Sequence, residues 1–153
     1  MKKLIALSLA ALFCFAQRAH AAWAEFGPQE TWPALRIDTD GTGLKYRVMR
    51  LSALNRCNIA SNAISADAFE QPIGILQNNP SSGRAATVAY EGLSKALAGA
   101  TVNVGENVTT DGSGMVIEAV SGNIIIGKAL ETVAVSQYLT VQLMPPYRGG
   151  SVA

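Results

Sequence analysis

Cysteine and histidine are nearly absent from this chain. Its 153 residues hold two cysteines, Cys14 and Cys57, and one histidine, His20. Both Cys14 and His20 fall in the first 21 residues. Without that segment, no cysteine pair remains for an intrachain disulfide. A histidine-based triad and a histidine-ligated metal site are likewise excluded. Cys57 has no histidine to activate it and reads as a quiet thiol. No run of ten or more residues carries a 3.6-residue apolar period, which argues against a helical core. No charge block is present, so the clustered cations needed to neutralise nucleic-acid phosphates are missing, as is a polybasic membrane patch. No glycine loop followed by Lys-Ser/Thr is found, since Gly112-Ser113-Gly114 lacks that continuation.

The start of the chain differs from the rest. Lys2 and Lys3 precede an apolar stretch from Leu4 to Ala16, and Ala19-His20-Ala21 fits a small-x-small cleavage site. This is the pattern of a bacterial secretory leader, too short for an ordinary membrane span. The competing reading is a retained N-terminal helix. Without residues 1–21 the formal net charge is −2, with nine Lys and Arg against eleven Asp and Glu.

What is abundant is β patterning. Tyr46–Leu51 alternates, with Tyr46, Val48 and Arg50 on one face and Arg47, Met49 and Leu51 on the other. Ile73–Gln77 is a short apolar strand. Ala85–Gly92 alternates again, and Ser94–Ala98 is ambiguous between strand and helical turn. Val102 and Val104 restart a strand-like pattern. Val108–Thr110, the turn Asp111-Gly112-Ser113-Gly114 and Met115–Val120 read as a hairpin. Ile124–Leu130 is a buried strand. Tyr138–Met144 closes the fold, and Pro145-Pro146 is expected to stop it. The chain is therefore expected to be all-β, a small antiparallel barrel or tulip-like barrel with short loops.

An internal echo accompanies the pattern. Pro72-Ile73-Gly74-Ile75-Leu76 aligns with Ile125-Ile126-Gly127-Lys128-Ala129 at an offset of 53 residues. Ala86-Thr87-Val88 matches Leu139-Thr140-Val141 at the same offset. The echo predicts a duplicated strand unit with a glycine at a bulge or close passage.

The chain is expected to divide into four parts: 1–21, leader-like or retained; 22–43, an extended arm and turn-rich lead-in; 44–145, the β-barrel body; and 146–153, a flexible tail. Trp23, Phe26 and Trp32 lie in the arm among prolines and glycine. They are expected either to cover the body's own core or to anchor on a partner. Lys45, Arg47 and Arg50 interleave with Tyr46 as a candidate charged interface. Asp38, Asp40 and Gly41 superficially suggest a calcium loop, but Met49 stands where such a loop needs Glu. Asp67 and Glu70 offer carboxylates that nothing in the sequence places in a cleft. No enzymatic activity, metal or cofactor is expected.

A family resemblance rests on Pro72-Ile73-Gly74-Ile75-Leu76-Gln77-Asn78, then Pro80, Gly83 and Ala85-Ala86-Thr87-Val88. It continues through Gly99-Ala100-Thr101-Val102 to Gly105, Asp111, Gly112 and Gly114. It ends with Ile126-Gly127-Lys128-Ala129-Leu130-Glu131 and Leu139-Thr140-Val141-Gln142-Leu143. In order and spacing, from about Leu44 to Pro145, the chain resembles a widespread family of bacteriophage capsid cement or decoration proteins. The resemblance implies a barrel-like domain on the outer surface of the phage head. Its implied partner is the major capsid protein, bound near threefold positions as a homotrimer that stabilises the expanded shell. It implies no catalytic residue, no nucleic acid and no membrane. A capsid protein has no use for a cleaved leader, so three accounts of the first 21 residues compete: a start codon assigned too early, a retained arm or helix that packs on the shell, or a domain recruited to an exported periplasmic or surface β-domain protein.

Overall fold

The computed structural model describes residues 29–60 and 71–148. Among these residues it is all-β and contains no helix. The strands are β1 (Gln29–Thr31), β2 (Leu35–Ile37), β3 (Val48–Ala53), β4 (Arg56–Ile59), β5 (Pro72–Leu76), β6 (Ala85–Ala86), β7 (Val88–Leu97), β8 (Asn107–Thr110), β9 (Val116–Glu118), β10 (Ile124–Ala129) and β11 (Tyr138–Arg148). They join in one hydrogen-bonded path, β6-β2-β4-β3-β5-β7-β11-β10-β8-β9, with β1 on β7. The ladders are antiparallel except β2 with β4. The expected all-β class holds, although the path does not close into a single barrel.

The path instead curls into two barrel-like units built on one plan. Each has a leading strand (β1 and β2, or β7), a hairpin (β3–β4 or β8–β9), a glycine-bearing strand (β5 or β10) and a closing strand (β6 into β7, or β11). The first unit returns on itself because only Thr87 separates β6 from β7. In the second, β11 pairs with both β7 and β10, and an Ala98–Val116 parallel bridge joins β7 to β9. The long β7 serves twice: its start closes the first unit and the remainder leads the second.

Backbone hydrogen bonds match between the units. Ile37 N donates to Arg84 O at 3.1 Å, as Ala98 N does to Gln137 O at 2.9 Å. Gly41 N to Pro80 O, 2.8 Å, corresponds to Val102 N to Val133 O, 3.1 Å. Tyr46 N to Leu76 O, 2.7 Å, corresponds to Gly105 N to Ala129 O, 2.8 Å. The hairpins share register, with Met49–Ile59 against Val108–Glu118 and Leu51–Cys57 against Thr110–Val116. Left-handed residues fall at the same places: Tyr46 and Gly105, Asn55 and Gly114, Gly83 and Ser136. The echo at offset 53 is thus one part of a whole-unit duplication. The hairpins follow at offset 59 (Met49 to Val108) and the leading strands at 61 (Ile37 to Ala98).

The glycine of the echo has a steric reason. A Cβ on Gly74 would lie 2.1 Å from Ala89 O, and one on Gly127 would lie 2.4 Å from Gln142 O. Both distances are far inside van der Waals contact, so only glycine lets the closing strand pass.

The cores also correspond. Leu35, Ile37, Met49, Cys57, Ile73, Leu76, Ala86 and Val88 fill the first unit. Their counterparts Ala96, Ala98, Val108, Val116, Ile126, Ala129, Leu139 and Val141 are all buried together in the second. Volume is conserved by exchange across paired positions. Leu35 pairs with Ala86, and its counterpart Ala96 pairs with Leu139. Ile37 reaches over Gly41, its Cδ1 2.8 Å from where a Gly41 Cβ would sit. In the second unit Ala98 leaves that space to Val102. Close packing permits such swaps only when both members change.

The units stack in tandem, not symmetrically. The outer face of the first, with Val48, Ala60, Ile75 and Ala89, is buried in the second unit's core cluster. Hence Val48 and Met49 are both buried, and β5 is buried along its whole length. The equivalent outer face of the second unit carries Asn107, Lys128 and Gln142 and remains in solvent.

Several expectations are corrected. β3 begins at Val48, not Tyr46, because Tyr46 takes φ 71° in the turn before it. Val102 forms only an isolated bridge, to Val133. Ser94–Leu97 is strand, set by pairing with β11. Pro145-Pro146 does not end β11, which continues to Arg148 opposite Ile124. The register shift between Ile125 and Gly127 places the prolines in an irregular stretch where no ladder donor is demanded.

The volume exchange gives the first expected outcome. Ala98→Ile alone overfills the second core and costs about 1–3 kcal/mol. Adding Val102→Gly recovers part of that loss, so a double-mutant cycle by urea unfolding returns a favourable coupling energy. A coupling of zero contradicts the exchange.

Candidate docking surface

Among the described residues, no three His, Cys, Asp or Glu side chains gather into a metal-binding group. Cys57 is buried, and burial, with the nearby Asp38 charge, pushes its thiol up to about 11. The first unit carries the most distinctive surface.

Trp32 follows β1, which is held on β7 through Gln29–Gly92, Glu30–Glu91 and Thr31–Ala89. Trp32 N donates to Val88 O at 2.9 Å, and its indole Nε1 donates to Ile73 O at 3.0 Å. Its ring lies 5.3 Å from that of Tyr90, whose hydroxyl donates to Glu30. That hydrogen bond raises the Tyr90 pKa, and burial and the charges of Glu30 and Glu91 add to it. The indole is thus fixed in orientation while 40% exposed. A fixed, half-exposed tryptophan keeps ring area available without a large ordering cost.

Beside it stands the β3–β4 turn. Asn55, at φ 57°, makes the turn, and Leu54 at its tip is 89% exposed. Two open grooves flank this tip. One, of about 570 Å³, is apolar and lined by Trp32, Pro33, Leu35, Leu51, Ala53 and Leu54. The other, of about 520 Å³, is lined by Ala34, Arg36, Leu54, Asn55 and Arg56 among others. The counterpart of Leu54 is Ser113. That second tip is held within the molecule through its backbone, while Gly112 and Ser113 stay exposed and Gly114 is buried: Arg47 donates to Ser113 O at 2.8 Å, and Val48 N donates to Gly114 O at 2.7 Å.

The candidate charged residues do not share one partner. Lys45 Nζ lies 4.6 Å from the centroid of the Tyr46 ring, which meets Tyr138 edge-on at 5.4 Å. Arg47 grips the second unit's turn, with its Nε buried. Arg50 Nε donates to Ile59 O at 3.2 Å. Trp23 and Phe26 lie outside the described residues, as do Asp67 and Glu70. Leu54 was not among the candidates, because one leucine in a polar turn carries no pattern in sequence.

Asp38 braces the turn end of the β3–β4 hairpin. It accepts a hydrogen bond from Ser52 Oγ and forms an ion pair with Arg56 at 2.8 Å. The Ser52 hydrogen bond, followed by that from Arg56, lowers its pKa; the charges of Arg56 and Arg50 act in the same direction, and burial opposes them. In the second unit the acid comes from the other strand. Gly99 replaces Asp38, and Asp111 replaces Ser52, accepting from Ser113 N and Met115 N at 2.8 Å. Asp40 is held low by Thr42 as an ordinary turn cap.

No known protein family's profile matches the chain, and no curated protein matches it. Among solved structures, it is similar to the head fiber gp8.5 N base of bacteriophage phi29. The TM-score is 0.57 at 18% identity, covering 78% of this chain and 95% of that one. At that identity the likeness is one of fold.

The Asp38 brace has a pH signature. A carboxylate with a depressed folded pKa stabilises above its unfolded value, near 3.9, and that contribution disappears as pH falls through the folded pKa. Asp38→Asn is therefore less stable than wild type at neutral pH, and the gap narrows below about pH 4. Thermal melts of both proteins at pH 7 and pH 3 check this; a gap that does not change with pH contradicts the brace.

Proposed function

We propose that this chain is a structural protein of a bacteriophage virion, a decoration or cement protein. It binds the outside of the major capsid lattice near threefold positions, as a homotrimer, and stabilises the expanded head. The observation that carries the reading is the fold, shared across 95% of the base of a phage head fiber protein. The resemblance of Leu44–Pro145 to phage decoration proteins supports it independently. The reading includes no enzymatic activity, cofactor, nucleic-acid partner or membrane partner.

The physical mechanism is linkage. A protein that binds the assembled shell but not separated subunits stabilises the shell by mass action. The Trp32 groove supplies the anchor: a half-exposed indole beside Leu51, Ala53 and Leu54. Trp23 and Phe26 extend the same arm in sequence. The leader-like start favours a second reading, an exported β-domain in the periplasm or at the cell surface. N-terminal mass spectrometry of purified particles separates the two, since an exported chain begins at Ala22 and is missing from virions.

Mixing the purified chain with expanded, undecorated heads tests the proposal. Saturable binding and a higher temperature of genome release are expected. Trp32→Ala weakens binding by about 2 kcal/mol, roughly thirtyfold. Heads that bind no chain overturn the proposal, and an unchanged affinity removes Trp32 from the contact.

A further inference from the structure

The two units differ in charge. Residues 35–60 and 72–88 carry six basic side chains (Arg36, Lys45, Arg47, Arg50, Arg56, Arg84) against Asp38 and Asp40, a balance of +4. The matching stretches 96–119 and 125–141 carry only Lys128 against Glu106, Asp111, Glu118 and Glu131, a balance of −3. A shared fold does not require this, because nearly all of these side chains lie outside the cores.

The junction between the units shows what such faces can do. The second unit's hairpin tip docks on the first unit at Arg47, Val48 and Ile59. A Cβ on Gly114 would lie 2.7 Å from Ile59 Cγ2 and 2.9 Å from Val48 O. The Tyr46–Val48 stretch enters the seam beside that tip, with Leu97 N donating to Tyr46 O at 3.0 Å and Val48 N to Gly114 O. In the first unit the same seam lies at Arg36 and Asn55, where Arg36 N donates to Asn55 O at 2.9 Å. Its tip, with Leu54, projects into solvent between Arg36 and Arg56. At the far end of the molecule, the second unit's equivalents of Lys45, Arg47, Val48 and Ile59 are Val104, Glu106, Asn107 and Glu118. Val104 is 62% exposed, and Asn107 and Glu118 are exposed as well.

We infer that copies of this chain associate head to tail through the counterparts of their internal junction, docking on the tip without entering the seam that the Arg36 N–Asn55 O hydrogen bond closes. The Leu54 tip of one copy, flanked by Arg36 and Arg56, docks on Val104, Glu106 and Glu118 of the next. The Leu54 end thus carries Arg36 and Arg56, the latter also paired with Asp38, and the Val104 end carries Glu106 and Glu118, so the two ends bear opposite charge. Charge complementarity selects this pairing over tip-to-tip contact, which would oppose arginines. Because Asn107 replaces Val48 and Lys128 replaces Ile75, the contact is more polar than the internal one. It is reversible and sensitive to salt. The inference goes beyond the proposed function, because contact between the opposite ends of a tandem body builds an open row of copies and is separate from a closed trimer. Its test uses no phage heads, so the two can fail separately.

Sedimentation equilibrium of the full-length chain is the experiment. At low ionic strength the mass exceeds that of one chain, and the dissociation constant rises about tenfold or more on going to roughly 0.5 M salt. Leu54→Ser and Arg36→Glu each sediment as single chains, while Arg36→Glu with Glu118→Arg in the same chain regains the assembled mass. Circular dichroism checks that the variants fold. If Leu54→Ser does not fold, the charge reversal and its rescue decide alone. A wild-type chain that stays single at about 100 μM in low salt overturns the inference. So do variants that keep the wild-type mass.

Discussion

Two close backbone passages hold this architecture together. At Gly74 and Gly127 the closing strand of each unit runs so near the glycine-bearing strand that a single methyl group would strike a carbonyl oxygen, Ala89 O or Gln142 O. With those passages open, the first ring closes through β5 on β7 and the second through β10 on β11. Each then seals a small apolar core. Neither unit is a barrel of the usual size, and each core is filled by only a few aliphatic side chains. Their volumes must therefore be matched across paired positions.

Sharing β7 makes the two units one body. Its first residues finish one ring and the rest begin the next, so separating the units would break a continuous strand. Burial follows the same direction. The first unit gives up an apolar outer face, Val48 and Ile75, to the second, whose own outer face is polar and ends the stack. The result is a rigid body with two unlike ends: basic with an exposed Leu54, and acidic with an exposed Val104. A role carried by surfaces needs this combination of stiffness and distinct faces, and the proposed virion function uses it.

Much of this was legible in the sequence where residues must be conserved for backbone reasons. Gly74 and Gly127 stand in matching apolar strings because no other residue fits there. Thr87-Val88 and Thr140-Val141 repeat beside them. The Asp111 turn announced its hairpin by composition. The remainder of the duplication was hidden by the physics that preserves it. Leu35 and Ala86 became Ala96 and Leu139, and Ile37 and Gly41 became Ala98 and Val102, so volume was kept while identity was lost. Left-handed positions also changed residue, Tyr46 to Gly105 and Asn55 to Gly114. Two length changes broke the register, shifting the offset from 61 to 59 to 53. Pro145-Pro146 misled because strand irregularities tolerate proline, and a bulge cannot be read from one strand. At the candidate site, Trp32 stood out by type. Leu54 was recognisable only once the second hairpin's tip was seen to be held at Gly114 by Val48 while the first tip has no such contact with the second unit.

Native-state hydrogen exchange tests most directly whether the two units form one cooperative body. The amides of Leu76 and Ala129, which donate to Arg47 O and Glu106 O at equivalent places, are predicted to exchange only through global unfolding. Both should report the same free energy. If Ala129 exchanges through a separate opening of the second unit, at a clearly lower free energy than Leu76, the shared-strand account is contradicted.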